Sequence, residues 1–355
     1  MTPEQFLNSI LREFYGRIHV QAPDNYDTAR FSHDGVDRSG AFQAQMHAAY
    51  LSLFAQRYRE FHATWMLLAD DESRRLFARL ILYRLLGHRH MRIKDDVGYS
   101  FDSRLYQAAE ALAAGESSLP ISGMFGGLRH FRGLDFEGET LEIDGWPGGI
   151  VYTFLKRQYF LERGPVRIQP ERGETVLDLG ACLGDTALAF AARVGAQGRV
   201  YAFDPLPDHV EATRFNARQN GFQDRVVVVP RAVSDKSNDI APIAARGANP
   251  GFRIAGQEGQ LPLTSIDDFV AAEGLPRVDF IKMDIEGAEL GALTGARATL
   301  QRHRPKLAIS LYHRPEDFFA IPQYLAATLP GYDFHLDHYT VHAEETVLYG
   351  APRPR

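Results

Sequence analysis

From Glu174 onward the hydrophobic positions fall into short unbroken runs separated by segments of helical spacing. ETVLDLG, GRVYAFDP, RVVVVPRAVSD, VDFIKMDIEG and PKLAISLYH read as five buried strands. Between them DTALAFAARVG, HVEATRFNARQNGF, LTSIDDFVAAEG and ELGALTGARATLQRH read as helices. Apolar runs without two-residue alternation, alternating with helices, predict a parallel sheet covered on both faces. EDFFAIPQYLAATLPGY predicts one more helix, and YDFHLDHYT and EETVLYGA predict two closing strands close enough to pair as a hairpin. The pattern is an α/β doubly wound sheet with an antiparallel end.

The chain before this region has a different texture. From Thr2 to about Gly115 the spacing is mostly helical. In FHATWMLLADDESRRLFARLILYRLLGH, Asp70 or Asp71 caps a helix carrying Leu76, Leu80, Tyr83 and Leu86 on one face. FDSRLYQAAEALAAG predicts a helix that ends at Gly115. GMFGGLRHFRG, residues 123–133, predicts a glycine-rich loop, and LEIDGWPGGIVYTF two short strands around an Asp-Gly turn. FLKRQYFLERG predicts a linking helix. The change of texture divides the chain into a mainly helical N-terminal region, 1–150, and an α/β domain, 151–355.

Composition narrows the partners. A formal charge of −6 argues against a nucleic-acid binder that relies on bulk electrostatics. The one cysteine, Cys182, excludes an intramolecular disulfide and cysteine-based zinc clusters. The N-terminal stretch MTPEQFLNSILREFYGRIH lacks the basic start and apolar run of a signal peptide. No apolar run approaches the roughly 20 residues needed to span a bilayer. These features predict a cytoplasmic protein without a membrane span.

In a doubly wound sheet the ligand lies outside the carboxyl ends of the strands, so the residues just after each strand are the candidates. After the first come Asp178, Gly180, Ala181, Cys182, Gly184, Asp185 and Thr186. The nicotinamide fingerprint G-x-G-x-x-G fails, because Cys182 and Asp185 stand at its second and third glycine positions. A phosphate-binding P-loop fails too, since no lysine follows Gly184. The spacing that fits, D-x-G-x-x-x-G, resembles the first motif of S-adenosylmethionine-dependent methyltransferases, with Cys182 at its middle glycine. A carboxylate at 178 without a lysine suits a ligand bearing a sulfonium and an ammonium.

Asp204 closes the second strand, roughly 20 to 30 residues past Gly180, where an acid meets ribose hydroxyls in nucleoside-binding folds. Ala232 and Val233, after the third strand, are placed to line an adenine pocket. The fourth strand ends in Lys282, Asp284 and Glu286, with Glu289 beyond. Ionisable groups at the end of a buried strand are costly without partners, which points to function. The fifth ends at His313, of the residue type that takes protons near neutral pH. Among the aromatic residues before the core, Tyr159 is the candidate for the cofactor's edge.

Taken together, DLGACLGDTALAFA, VYAFDPLP, VDFIKMDIEGAELGALTGA, LYHRPEDFFAIPQYL and ETVLYG resemble the FkbM family of S-adenosylmethionine-dependent methyltransferases over roughly residues 150 to 350. The resemblance implies a class I methyltransferase fold, a Rossmann-like sheet of seven strands with an antiparallel last strand. It also implies O-methylation of a hydroxyl on a sugar, cell-surface glycan or polyketide-type natural product. On this reading His313 is the base, and Asp284 either orients it or touches the cofactor's amino group. Alternatively Asp284 and Glu286 hold a divalent cation such as magnesium. The helical region before residue 150 would serve as a lid or a homo-oligomer contact. Two other readings keep the fold: a nicotinamide-dependent oxidoreductase, and a cofactor-binding interaction protein without catalysis.

Overall fold

The structure, a computed structural model, describes residues 1–22, 25, 40–95, 98–123, 126–237, 240–242 and 260–353. The helical reading of residues 2–115 therefore falls partly outside the described residues, as do two positions of the expected loop at 123–133. The chain forms two compact units. One comprises Met1–Arg104, Leu311–Ala327 and Asp333–Leu348; the other comprises Leu105–Ser310, Thr328–Tyr332 and Tyr349–Arg355.

The first unit is built on helices α1 (Pro3–Arg17), α2 (Gly40–Leu67) and α3 (Asp71–Leu86). Thr2 and Gln5 close a reciprocal capping box at the start of α1, satisfying amide donors that the first turn would leave bare. Of the two candidate aspartates, Asp70 is the cap, its carboxylate accepting the amide of Ser73, and Asp71 opens the helix. Phe61 and Phe77 extend an aromatic core to Phe319 and Phe318, ring centroids 5.2 and 5.8 Å apart. Among the described residues, no helix is long and apolar enough to cross a membrane.

The second unit opens with α4 (Tyr99–Glu110) crossing into it and a three-stranded antiparallel sheet, β1 (Ala113–Glu116), β2 (Arg129–Phe136) and β3 (Glu139–Gly145). Several expectations are corrected here. The helix over 101–115 stops at Glu110, because Ala113–Glu116 pairs with β2 instead. The expected loop at 123–133 is largely strand: Ser122–Gly123 pairs with Gly126–Gly127, and β2 begins at Arg129. Asp144 and Gly145 end a strand and make no hairpin turn. After them the chain enters a helical turn, Pro147–Gly149, and a π-helix, Ile150–Leu155. The expected linking helix over 154–164 is absent; Leu161–Arg163 pairs with Val166–Ile168 as a short hairpin.

The central sheet has strands β4 (Thr175–Leu179), β5 (Arg199–Phe203), β6 (Val226–Val229), β7 (Phe280–Met283), β8 (Lys306–Ser310), β9 (Tyr332–His338) and β10 (Thr346–Pro352). Their order is β6-β5-β4-β7-β8-β10-β9. The first five are parallel neighbours, as their continuous apolar runs require. Chain direction reverses its walk between β4 and β7, so their carboxyl ends flank the crevice where α/β folds bind ligands. Helices α5 (Asp185–Val194), α6 (Pro207–Gln219) and α7 (Ile266–Ala272) follow the expected order. The single helix expected over 289–303 is two, α8 (Glu289–Thr294) and α9 (Arg297–His303). Asp267 explains the break: its carboxylate accepts the amides of Ala298 and Thr299 and caps a separate second helix.

Candidate functional site

Register places the first charged pair. Asp178 on β4 sits directly opposite Lys282 on β7, both essentially without solvent contact. The Lys282 Nζ lies 3.2 Å from Asp178 Oδ1 and donates to the Gly180 carbonyl at 2.7 Å. Thr186 Oγ1 donates to the other Asp178 oxygen at 2.7 Å. Burial works to lower the lysine's pKa, yet the carboxylates of Asp178 and Asp284 outweigh it and hold the pKa above the usual value. Asp178 therefore stitches strand, turn and helix together from beneath.

Above that pair the chain turns through Gly180, Cys182 and Gly184, each with positive φ, at +85°, +48° and +88°. At Gly180 no other residue fits, since a Cβ there would stand 1.9 Å from the Asp284 carbonyl oxygen. Cys182 adopts the left-handed conformation for which glycine is the ordinary residue. The amides of Gly180 and Ala181 both donate to the carbonyl of Phe203, which ties the turn to the end of β5.

Asp204, just past β5, completes the turn. Its Oδ2 accepts the Cys182 amide at 3.1 Å and its Oδ1 accepts that of Leu206 at 3.0 Å. His209 Nδ1 is 3.1 Å from the same Oδ1. Burial opposes a charge on that imidazole, and the Asp204 carboxylate overrides it, raising its pKa. The Cys182 thiol is pushed well above its usual range by burial, and further by Asp204 and Asp185. It is no thiolate nucleophile at neutral pH. Burial likewise raises the pKa of Asp185, against the hydrogen bond it accepts from Thr153 Oγ1.

At the end of β7, Asp284 accepts a hydrogen bond from the Tyr159 hydroxyl at 2.7 Å. The Lys282 Nζ lies 5.2 Å over the tyrosine ring, and the Tyr159 amide donates to Tyr349 Oη at 3.1 Å. Tyr159 is itself left-handed (φ +75°), as is Arg157 (φ +54°). Such backbone costs on the order of 1–3 kcal/mol at a bulky residue and persists only where the surroundings over-determine it. Glu286 is left-handed too (φ +58°), and the buried Glu289 turns inward to accept the Ile285 amide at 2.8 Å.

The structure thus brings together Tyr159, Asp178, Gly180, Ala181, Cys182, Gly184, Asp185, Thr186, Asp204 and Asp284 within one unit. Ala232 and Val233 are buried in a short parallel ladder with Leu263 and Thr264, and Leu206 packs on Ala232's cluster. His313 belongs to the other unit, three residues past the end of β8, its ring 4.2 Å from that of Tyr312. Sequence reasoning missed Thr153, His209 and Tyr349. Lys282 was visible as a lone cation in an apolar strand, the counterpart of Asp178 one strand over.

Residues 178–336 match the profile of the methyltransferase FkbM domain. Residues 178–336 thus form a methyltransferase FkbM domain. A curated relative, the hexuronic acid methyltransferase AglP of Haloferax volcanii, is 27% identical over 139 residues, 38% of this chain and 54% of that protein. The chain thus spans about half the length of that relative. The crystal structure of a methyltransferase FkbM from Methylobacillus flagellatus superposes with a TM-score of 0.54 at 20% identity, over 84% of this chain and 60% of that one. The fold is accordingly the class I methyltransferase fold, a Rossmann-like mixed sheet preceded by helices.

Proposed function

We propose that this FkbM-domain protein is an S-adenosylmethionine-dependent O-methyltransferase acting on a sugar-type hydroxyl. The observation that carries this reading is the left-handed turn at 180–184, seated on the Lys282–Asp178 pair and bordered by the carboxylates of Asp185, Asp204 and Asp284. Those acceptors fit a nucleoside with a cationic tail, and Lys282, the one buried lysine among the described residues, is engaged with Asp178 and Gly180 rather than turned to a phosphate chain. A name of hexuronic acid methyltransferase on a relative favours a sugar acid among the acceptors.

S-adenosylmethionine, when bound, supplies a methyl carbon already activated on a sulfonium. Residues 180–186 would hold its amino-acid portion and Asp204 would accept from its ribose hydroxyls, its carboxylate having lone pairs beyond those used on Cys182 and Leu206. Ala232 and Val233 would line the adenine. Asp284 would accept from the ammonium, and Glu286, two residues on, would serve the acceptor side. His313 takes the proton of the acceptor hydroxyl on a ring nitrogen, and the protein's share of the rate is alignment of that oxygen. The helices before residue 150 act as a lid or an oligomer contact.

Calorimetric titration with S-adenosylmethionine, S-adenosylhomocysteine and NAD, each with and without magnesium, tests the reading. Binding of the first two and not of NAD supports it, and a magnesium-dependent gain would bring a cation to Asp284 and Glu286. Tighter NAD binding would return the chain to the oxidoreductases. A screen of hexuronic acids and other sugar alcohols follows, with His313→Ala expected to lose turnover and keep cofactor binding.

A further inference from the structure

The segment from Gly149 to Phe160 touches two carboxylates of the cofactor crevice in succession. Thr153, in the π-helix, donates to Asp185, and six residues later Tyr159 donates to Asp284. The chain around Tyr159 is pinned. The Gln158 amide donates to the Tyr152 carbonyl, and the Phe160 amide to that of Arg157. Arg157 pairs with Glu137 and lies over the rings of Phe136 and Phe160. Tyr159, buried at 4% exposure, is held at its amide by Tyr349 and at its ring beneath Lys282. A bulky residue kept left-handed and tied at amide, ring and hydroxyl is a residue whose hydroxyl position matters.

We infer that Tyr159 is a positioning residue: its hydroxyl fixes the rotation of the Asp284 carboxylate so that this group meets the amino-acid end of the cofactor. A carboxylate rotates about two side-chain bonds, and a charge-assisted hydrogen bond to a rigid phenol restricts that rotation. The strained backbone at 157 and 159 delivers the phenol, since a right-handed Tyr159 would send its side chain elsewhere. This inference rests on the methyl-transfer reading of the crevice and adds a residue that acts through Asp284.

The test is a double-mutant cycle read by calorimetry, with S-adenosylmethionine and 5′-methylthioadenosine as probes; the second lacks the amino-acid end. Tyr159→Phe keeps the ring over which Lys282 sits and removes only the hydroxyl. It is expected to weaken S-adenosylmethionine binding by about tenfold and to leave 5′-methylthioadenosine within about twofold. Asp284→Asn should discriminate between the probes in the same way, and the double variant should lose no more than Asp284→Asn alone. Tyr349→Phe, which releases the Tyr159 amide, should move the ratio of the two affinities in the same direction by less. Equal losses for both probes would reduce Tyr159 to a packing residue and overturn the inference, as would unchanged binding or additive effects. If the unaltered protein binds neither probe, the methyl-transfer reading itself fails, and the inference with it.

Discussion

Two stretches of one unit supply the crevice, Thr175–Thr186 and Ile150–Phe160, and they are built on opposite principles. In the first, sequence and conformation agree at nearly every step. An apolar run makes a buried parallel strand, glycines stand at two of three left-handed positions, and a helix follows. In the second, each local preference is overruled. Isoleucine, valine and threonine enter a π-helix, while arginine and tyrosine take left-handed backbone. In the stretch proposed to hold the common part of a nucleoside cofactor, local rules suffice. Where it aims side chains at particular carboxylates, tertiary contacts impose shapes the residues would not choose.

The sharpest way to break this contrast is through the buried pair under the first stretch. Lys282→Met would leave Asp178, fully shielded from solvent, without its counter-charge. Removing one partner of a buried pair costs about 3–5 kcal/mol, read as a lower urea midpoint near pH 7.5. Adding Asp178→Leu should restore much of the loss, because no uncompensated charge then remains. The same pair carries a pH signature. The folded pKa of Lys282 lies above its ordinary 10.5, so its contribution is complete below pH 10.5 and fades as pH rises past it. A cost under about 1 kcal/mol would show that the turn does not depend on its foundation.

The legibility of the two stretches follows the same line. Five parallel strands, their helices and the order of acids at their ends could be read because buried parallel strands are apolar on both faces. Asp204 and Asp284 stand just past their strands, where strand-end logic put them, whereas Asp178 lies one residue inside β4. The hairpin at Leu161–Arg163 and the strands at 113–136 could not be read, since short runs such as AAGE and RHFRGLDF lack a clear period. Tyr159 was visible only as one aromatic among several. Nothing in FLKRQYFLERG announces that its amide meets Tyr349, 190 residues away, or that a left-handed turn carries it there.

Asp185 is where the two stretches meet, and it should trade stability against binding. Its pKa is raised by burial, so the folded state penalises its charge once pH passes the unfolded value of 3.8. Asp185→Asn keeps an oxygen for Thr153 and removes that penalty. A gain of about 0.5–2 kcal/mol at pH 7 is the usual range for relieving such a site. The gain should vanish below pH 3.8, where the carboxyl is protonated folded or unfolded. On the proposed reading, affinity for S-adenosylmethionine should fall in the same variant, since a carboxylate bordering the turn is lost. Stability that drops at pH 7 would mean the anion is needed by the fold itself.

The smallest effect belongs to Cys182, the one position in the first stretch where residue and conformation disagree. At φ +48° an L-residue is strained by about 1–2 kcal/mol. Glycine relieves this, but its flexible unfolded chain offsets about 0.5–1 kcal/mol. It also forfeits the contact of the cysteine with the cluster of Ile121, Leu128, Leu183 and Ala212. Cys182→Gly is therefore expected to fall within about 0.5 kcal/mol of the unaltered protein and to bind S-adenosylmethionine within about twofold. The raised thiol pKa predicts in addition that iodoacetamide modifies Cys182 only slowly at pH 8. Loss of cofactor binding in the glycine variant, with folding intact, would show that the turn needs the sulfur itself. The first stretch would then, like the second, depend on a side chain that local rules do not explain.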